Sequence, residues 1–262
     1  MVYKLLVVTL LSTVAISCRA QVEDKELQAF LQKSRSSFVF VEGGSFEMGH
    51  ELARHASPVH QVTLDSYSIQ KNEITFREFD IYTRINNLDS ISPRWRDQKE
   101  MGPNYGAWGM DWQGARDYCQ WLGKQLGLPV DLPTEAQWEY AARSRGLDVE
   151  HATNNGRIEG SLTVESNYSG THEEIATSPP NPLGLYDMSG GRPEWVLDYL
   201  DIYEEKLNYN PIKDTILSSS NKVVRGFHTL THSVYDRGSA KPENTGTGIG
   251  LRCVCNQKTP VE

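Results

Sequence analysis

LPTEAQWEYAARSRG, residues Leu132 to Gly146, is the stretch from which the architecture can be worked outward. Thr134 and Gln137 stand three apart as a capping box, in which the hydroxyl accepts one free helix N–H and the amide side chain returns to the cap's own N–H. Pro133 precedes the helix and Gly146 follows its last turn, so both ends are marked. Trp138, Ala141 and Ala142 are expected to face a core.

Upstream of this helix the pattern is regular. FVFVEGGSFEMG (Phe38–Gly49), with its Gly43-Gly44 turn, and QVTLDSYSI (Gln61–Ile69) alternate apolar and polar residues as strands do. A helix is predicted to start at Thr75, which pairs with Glu78 in another capping box, and to run through Phe76, Phe79, Tyr82 and Ile85. A further helix covers DWQGARDYCQWLGKQLG (Asp111–Gly127), where Ala115, Tyr118, Cys119, Leu122 and Leu126 form one apolar face and Gly127 suits the stop. Asp24 to Arg35 is read as a short helix with Leu27, Phe30 and Leu31 on one side, the alternative being a mobile leader. Downstream of Gly146 about half the chain remains, with only short strand-like pieces such as KVVRGF and GIGLRCVC between long Gly/Asn/Pro-rich connections. Loops of that length in one domain need a metal, a disulfide or a functional role to hold them.

The chain's 262 residues, with six Trp and twelve Tyr, are enough to bury a substantial core and are not the composition of a disordered protein. Residues 1–20, MVYKLLVVTLLSTVAISCRA, have a lysine, an apolar run and small residues near the end, as a secretory signal peptide does. Cleavage after Ala20 is one expectation; lipidation at Cys18 is the other. No later run approaches the ~18 apolar residues of a membrane span. Loss of Lys4 and Arg19 with the leader would take the net charge from −8 to −10, which argues against nucleic acid as a partner. Cys119, Cys253 and Cys255 remain, and an exported compartment permits one disulfide among them. Cys253 and Cys255 are expected to face opposite ways on a strand, so that only one readily meets Cys119.

The motifs FVFVEGGSFEMG, NEIT (Asn72–Thr75), DWQGARDYCQWLG, LPTEAQWEYAAR, NPLGLYDMSGGRPEW (Asn181–Trp195), VVRG and GIGLRCV occur in the order of the formylglycine-generating enzyme (sulfatase-modifying factor) family. The resemblance spans about Phe38 to Val254. It implies a single α+β domain over residues 38–262, related to C-type lectins and poor in regular secondary structure, after a leader at 21–37. Active members of that family oxidise a cysteine of a client sulfatase with copper held by two cysteine thiolates, soft ligands for a soft ion. Those cysteines fall between VVRG and an arginine that Arg237 matches. Here the intervening FHTLTHSVYD (Phe227–Asp236) has no cysteine and is shorter than in the enzymes. No copper and no formylglycine synthesis are therefore expected. His228 and His232 stand four apart in it, but no glutamate lies between them as in HExxH, and the strand-like VVR and Gly226 before them argue against a helix. A structural or partner-contact role is the reading for both.

In GLYDMSGGRPEW, Asp187 and Glu194 are hard oxygen ligands either side of a glycine-containing turn. The resemblance implies calcium there, held by the side chains of Asp187 and Glu194 and the carbonyls of Gly190 and Arg192. Gly190-Gly191-Arg192-Pro193 departs from the family's usual Gly-Asn-Val-Trp, and Pro193 restricts the turn. A second family site would use Asn167 and the carbonyl of Tyr168, with Glu173 or Glu174 replacing an acid lost from a shortened loop. Trp95, Tyr105 and Trp108 are candidate contact aromatics beside Trp195, with the core as their ordinary destination.

The family resemblance extends to a periplasmic regulator of type VI secretion, an exported protein of this fold. It implies a non-enzymatic adaptor in the periplasm, associated with the outer membrane through a lipoprotein partner and acting with the exported domain of a threonine kinase. Two other readings stand beside it: an oxidative enzyme of the same fold acting on a secreted metabolite or protein, and a glycan-binding module.

Overall fold

A computed structural model of the chain describes residues 21, 24–53, 55–92, 102–157, 174–177, 179–204, 208–216, 218–226, 233–246 and 248–262. The signal-peptide reading for residues 1–20 lies outside them. The amphipathic segment near the N-terminus is helix α1 (24–36), and its Phe30 is buried with its ring 5.8 Å from that of Trp121.

The alternating stretches form strands β1 (Phe38–Val41), β2 (Gly44–Met48), β3 (His60–Leu64) and β4 (Tyr67–Gln70). The two glycines between β1 and β2 do not close a hairpin. β1 pairs with β4 and β2 with β3, both antiparallel, so the glycine turn sends successive strands into different sheets. A side chain at Gly43 would come within 2.4 Å of the Leu64 carbonyl, so this turn packs directly on the one that joins β3 to β4.

Helix α2 (Phe76–Ile85) starts at Thr75 with the expected capping box, and α3 (Trp112–Leu126) is capped by Asp111 and ends at Gly127, whose φ of 68° is the left-handed conformation that glycine adopts at least cost. Phe79, Tyr82, Tyr118 and Trp121 bind the two helices through a cluster of aromatic contacts. The two-residue strand β5 (Val130–Asp131) follows, and then α4 (Glu135–Ala142), with both halves of the Thr134–Gln137 box formed.

The second half supplies β6 (Glu194–Tyr199), β7 (Asn208–Tyr209), β8 (Lys222–Arg225), β9 (Gly238–Ala240) and β10 (Val254–Cys255). Three small sheets result, ordered β1-β4-β10-β5, β2-β3-β7 and β6-β8-β9. A disulfide joins Cys119 of α3 to Cys253 beside β10, and Cys255 is left as a buried thiol. The expected opposed facing of Cys253 and Cys255 is not found: residues two apart in an extended segment share a face, and both pack in one core cluster while Val254 between them packs in the other. The architecture is a single mixed α/β domain with little regular secondary structure for its length.

Candidate functional site

Glu135 and Glu139 lie one turn apart on α4, and both are buried, against the ordinary habit of helix carboxylates. Three arginines account for this. Arg143, one turn after Glu139, donates Nη1 to it at 3.0 Å. Arg225, at the end of β8, donates Nη1 to Glu135 and Nη2 to Glu139, each at 2.8 Å, and Nη2 also to the Val234 carbonyl. Arg237, beside β9, donates Nε and Nη2 to Glu135 at 2.6 and 2.8 Å, and Nη1 to the carbonyls of His55 and Asp201 at 2.6 and 2.9 Å. Burial alone would raise the Glu135 carboxyl, and the Arg237 and Arg225 charges outweigh it and hold the group below its usual range. Nearby Asp198 has no such neighbour at hydrogen-bond distance. Burial, and then the Glu135 charge, push it up to about 6 although it accepts the N–H groups of Glu135 and Lys213. Arg225 and Arg237 bracket the cysteine-free stretch Gly226–Asp236, so α4 anchors both ends of the segment that in active enzymes carries the copper ligands. His228 and His232 themselves lie outside the described residues.

Beside the second anchor is a hollow of about 400 Å³, whose lining includes His50, Leu52, Asp148, Glu150, Tyr235 and Asp236. The Tyr235 ring stacks on His50 at 4.7 Å, its hydroxyl donates to Asp148 at 3.2 Å, and the Arg143 guanidinium lies 4.9 Å from its centroid. Burial and then Asp148 outweigh that guanidinium and push the Tyr235 phenol up to about 12, so it is a neutral donor at ordinary pH. Among the described residues three carboxylates and no lysine or arginine line the hollow, and those residues give it a negative charge. Leu52, 90% exposed, adds an apolar edge. These residues come from three separate parts of the chain, and sequence reading placed His50 with nothing; only the position of Ser233–Asp236, next to the cysteine-free stretch, pointed here.

The turn from Asp187 to Glu194 is the other built feature. Asp187 has a φ of 61° and Gly190 of 105°, and the Gly191 N–H donates to the Asp187 carbonyl at 3.0 Å. Glu194 is fully buried on β6, where its carboxylate takes the Trp138 indole N–H at 2.7 Å and the Arg252 guanidinium at 2.7 and 2.8 Å. One Asp187 oxygen accepts the Ala176 N–H at 2.7 Å. A third acid, Glu73, accepts the Arg192 N–H at 2.6 Å, in a space that exists because side chains at Gly106 and Gly191 would come within 2.1 and 2.3 Å of its oxygens. Burial, then the Glu194 and Asp187 charges, raise Glu73 to about 8. Carboxylates and carbonyls so concentrated have the donor chemistry of a calcium site. Glu194 can ligate only by sharing an oxygen that Trp138 or Arg252 already holds.

Of the second proposed calcium site, Asn167, Tyr168 and Glu173 lie outside the described residues, and Glu174 is exposed, 3.4 Å from the Asn104 amide. Trp95 is likewise outside. Tyr105 and Trp108 are half-buried against the α2–α3 core, with the Arg192 guanidinium 5.6 Å from the Trp108 centroid, so they border the Asp187 turn and not the acidic hollow. Trp195 is wholly buried. Among the described residues no three His, Cys, Asp or Glu side chains group as a metal site, and no helix is long and apolar enough to cross a membrane.

The sequence matches the sulfatase-modifying factor enzyme 1-like domain over residues 23–257. It is 32% identical over 188 residues to the serine/threonine-protein kinase pkn1 of Chlamydia pneumoniae, covering 64% of this chain and 29% of the kinase. It is 22% identical over 286 residues to the mouse inactive C-alpha-formylglycine-generating enzyme 2, covering 86% of this chain and 88% of that protein. Among solved structures, PvdO from Pseudomonas aeruginosa superposes with a TM-score of 0.70 at 24% identity, covering 84% of this chain and 94% of PvdO. The chain spans about a third of the kinases that it matches.

Proposed function

The chain belongs to the sulfatase-modifying factor enzyme 1-like domain family, and from that premise we propose that it is a non-enzymatic regulator, a binding module that has kept the family's fold without its copper chemistry. The observation that carries this reading is the stretch between the two arginine anchors, which has no cysteine. The remaining thiols offer no substitute: Cys119 and Cys253 are consumed in the disulfide, and Cys255 is buried, with burial pushing its thiol up and away from the reactive thiolate.

The proposed partner is an envelope protein, the exported domain of a type VI secretion threonine kinase, with an outer-membrane lipoprotein beside it and the periplasm as the compartment. Support comes from the similarity to part of the chlamydial kinases: a domain of this kind within a kinase chain in one setting is a natural separate partner of a kinase in another. The acidic hollow is the surface assigned to that partner.

Binding of the purified kinase exodomain to the immobilised chain tests this directly. Capture by the native protein and its loss in Asp148→Lys/Glu150→Lys is the expected result. Conversion of a cysteine-containing sulfatase peptide to an aldehyde on copper loading would overturn the non-enzymatic reading. For the Asp187 turn we propose calcium, with the Asp187 and Glu194 side chains and the Gly190 and Arg192 carbonyls as ligands. Free ion at ~100 times its dissociation constant stabilises a one-site protein by roughly 2.7 kcal/mol, so melting should rise on addition of calcium and fall on chelation. An unchanged melt after chelation, with Asp187→Ala behaving as the native chain, rules the ion out.

A further inference from the structure

Away from both the acidic hollow and the Asp187 turn, a second hollow of about 210 Å³ opens between the β3–β4 turn, the start of α4 and the C-terminal segment. Its lining is almost wholly neutral amide and hydroxyl groups, Ser66, Thr134, Gln137, Asn210 and Asn256, with one opposed charge pair, Asp65 and Lys258, 2.8 Å apart. We propose that this hollow binds a pyranose sugar.

The polar groups are already held in place. Asp65 donates its N–H to Asn210 Oδ1 at 2.8 Å and takes back the Asn210 amide at 2.9 Å, while Gln137 donates to Asn256 Oδ1 at 2.8 Å. Among the described residues the Asn256 amide hydrogens have no acceptor, and the Ser66 and Thr134 hydroxyls, which accept the N–H groups of Gly43 and Gln137, have donors to spare. Ring hydroxyls, each both donor and acceptor, match amides and a carboxylate better than an anion would, because Asp65 lies in the same wall.

An independent observation points the same way. Tyr209 is 64% exposed, yet its ring is fixed, since its hydroxyl donates to Asp65 at 2.6 Å and its strand pairs with β3. Tyr209 is not itself a wall of the hollow, but its bond to Asp65 and its place next to Asn210, both of which are, set its exposed ring at the rim, an apolar face for a sugar ring that reaches past the amides. The volume, below the range of drug-sized sites, suits a single ring or the end of a glycan.

The test is ligand-observed saturation-transfer NMR of the native chain with methyl glycosides of glucose, galactose, mannose and N-acetylglucosamine, one at a time, with glycerol and methyl phosphate as controls. Transfer to at least one glycoside and to neither control is expected, at least tenfold weaker binding in Tyr209→Ala, and a smaller loss in Tyr209→Phe, which keeps the ring and drops the bond to Asp65. Asn256→Ala gives a second reading at a side chain whose amide hydrogens are free. Equal transfer to glycerol, no transfer to any glycoside, or binding unmoved by both Tyr209→Ala and Asn256→Ala overturns the proposal.

Discussion

At the scale of single residues, the Glu135–Glu139 pair shows how charge is made tolerable inside this protein. Two carboxylates one helical turn apart repel each other, and in a dry site each needs a cation in contact. Arg225 spans both, Arg237 closes on Glu135 and Arg143 closes on Glu139, so removal of Arg225 leaves each buried carboxylate with a single cation and a vacated, dry space beside it. Arg225→Ala is therefore expected to cost about 3–5 kcal/mol in urea unfolding. A cost below 1 kcal/mol would show the network relaxing into water. Asp198 gives the pH dependence. Its folded pKa of about 6 lies above the carboxylate's ordinary value, so between the two the folded chain holds a proton that the unfolded chain has released. Stability from this group accordingly rises as pH falls from 7 toward 4.5, by up to about 2 kcal/mol, and Asp198→Asn should flatten that rise. Glu135 acts in the opposite sense: its pKa is depressed, its contribution is full above the unfolded value, and it is lost as pH falls further. Glu73, with a folded pKa of about 8, acts in the same sense as Asp198 over this range, so unfolding curves collected from pH 7 to pH 3 should rise toward acid before falling in the native chain, and the rise should be shallower, though still present, in the Asp198→Asn variant.

At the scale of elements, what sequence could reveal depended on whether the signal was local. Caps are local: Thr75 with Glu78, Thr134 with Gln137, and Gly127 are read within four residues, and all three define the helix ends found. Alternation is local too, so β1 to β4 were legible, while β5, β7 and β10, of two residues each, carry no period to read. Strand partners were not legible, since nothing in the Gly43-Gly44 pair says that β1 pairs with β4. Nor was the hollow, because His50, Asp148 and Tyr235 meet only when three sheets and α4 are assembled. The burial of Glu135 and Glu139 was hidden for the same reason: only Arg143, four residues after Glu139, is local, while Arg225 and Arg237 lie about 90 and 100 residues after Glu135. Two measurements belong here. Thr134→Ala removes the hydroxyl that accepts the Gln137 N–H and should cost about 1 kcal/mol in unfolding free energy. The Cys119–Cys253 bond closes a loop with a sequence separation of 134 residues, and Cys119→Ala/Cys253→Ala should lose about 2–5 kcal/mol, much of it through the unfolded chain. Equal urea midpoints for the double variant and the native protein would mean that α3 and β10 are held by packing alone.

At the scale of the whole molecule, charge and anchoring together shape the proposed encounter with a partner. The chain carries a net charge of −8, and among the described residues three carboxylates line one hollow. A field of that sign speeds the approach of a basic surface and is screened over ~8 Å at physiological salt, so it acts on the association rate more than on the lifetime of the complex. The hollow is also stiff where it meets the rest of the protein. The Arg225 and Arg237 anchors fix the chain on either side of Gly226–Asp236, and the Val234 N–H donates to the Glu150 carbonyl at 2.9 Å, tying the end of that stretch to the hollow's own wall. A partner therefore meets a prepared surface, and little ordering cost should separate encounter from binding. If the kinase exodomain binds there, stopped-flow association should slow by roughly tenfold between low and physiological salt, with dissociation changing much less. Asp148→Lys/Glu150→Lys should remove that salt dependence while leaving the urea midpoint unchanged, since both side chains lie at the surface and neither anchors α4. Salt dependence that survives the double reversal would place the encounter on some other face of the molecule.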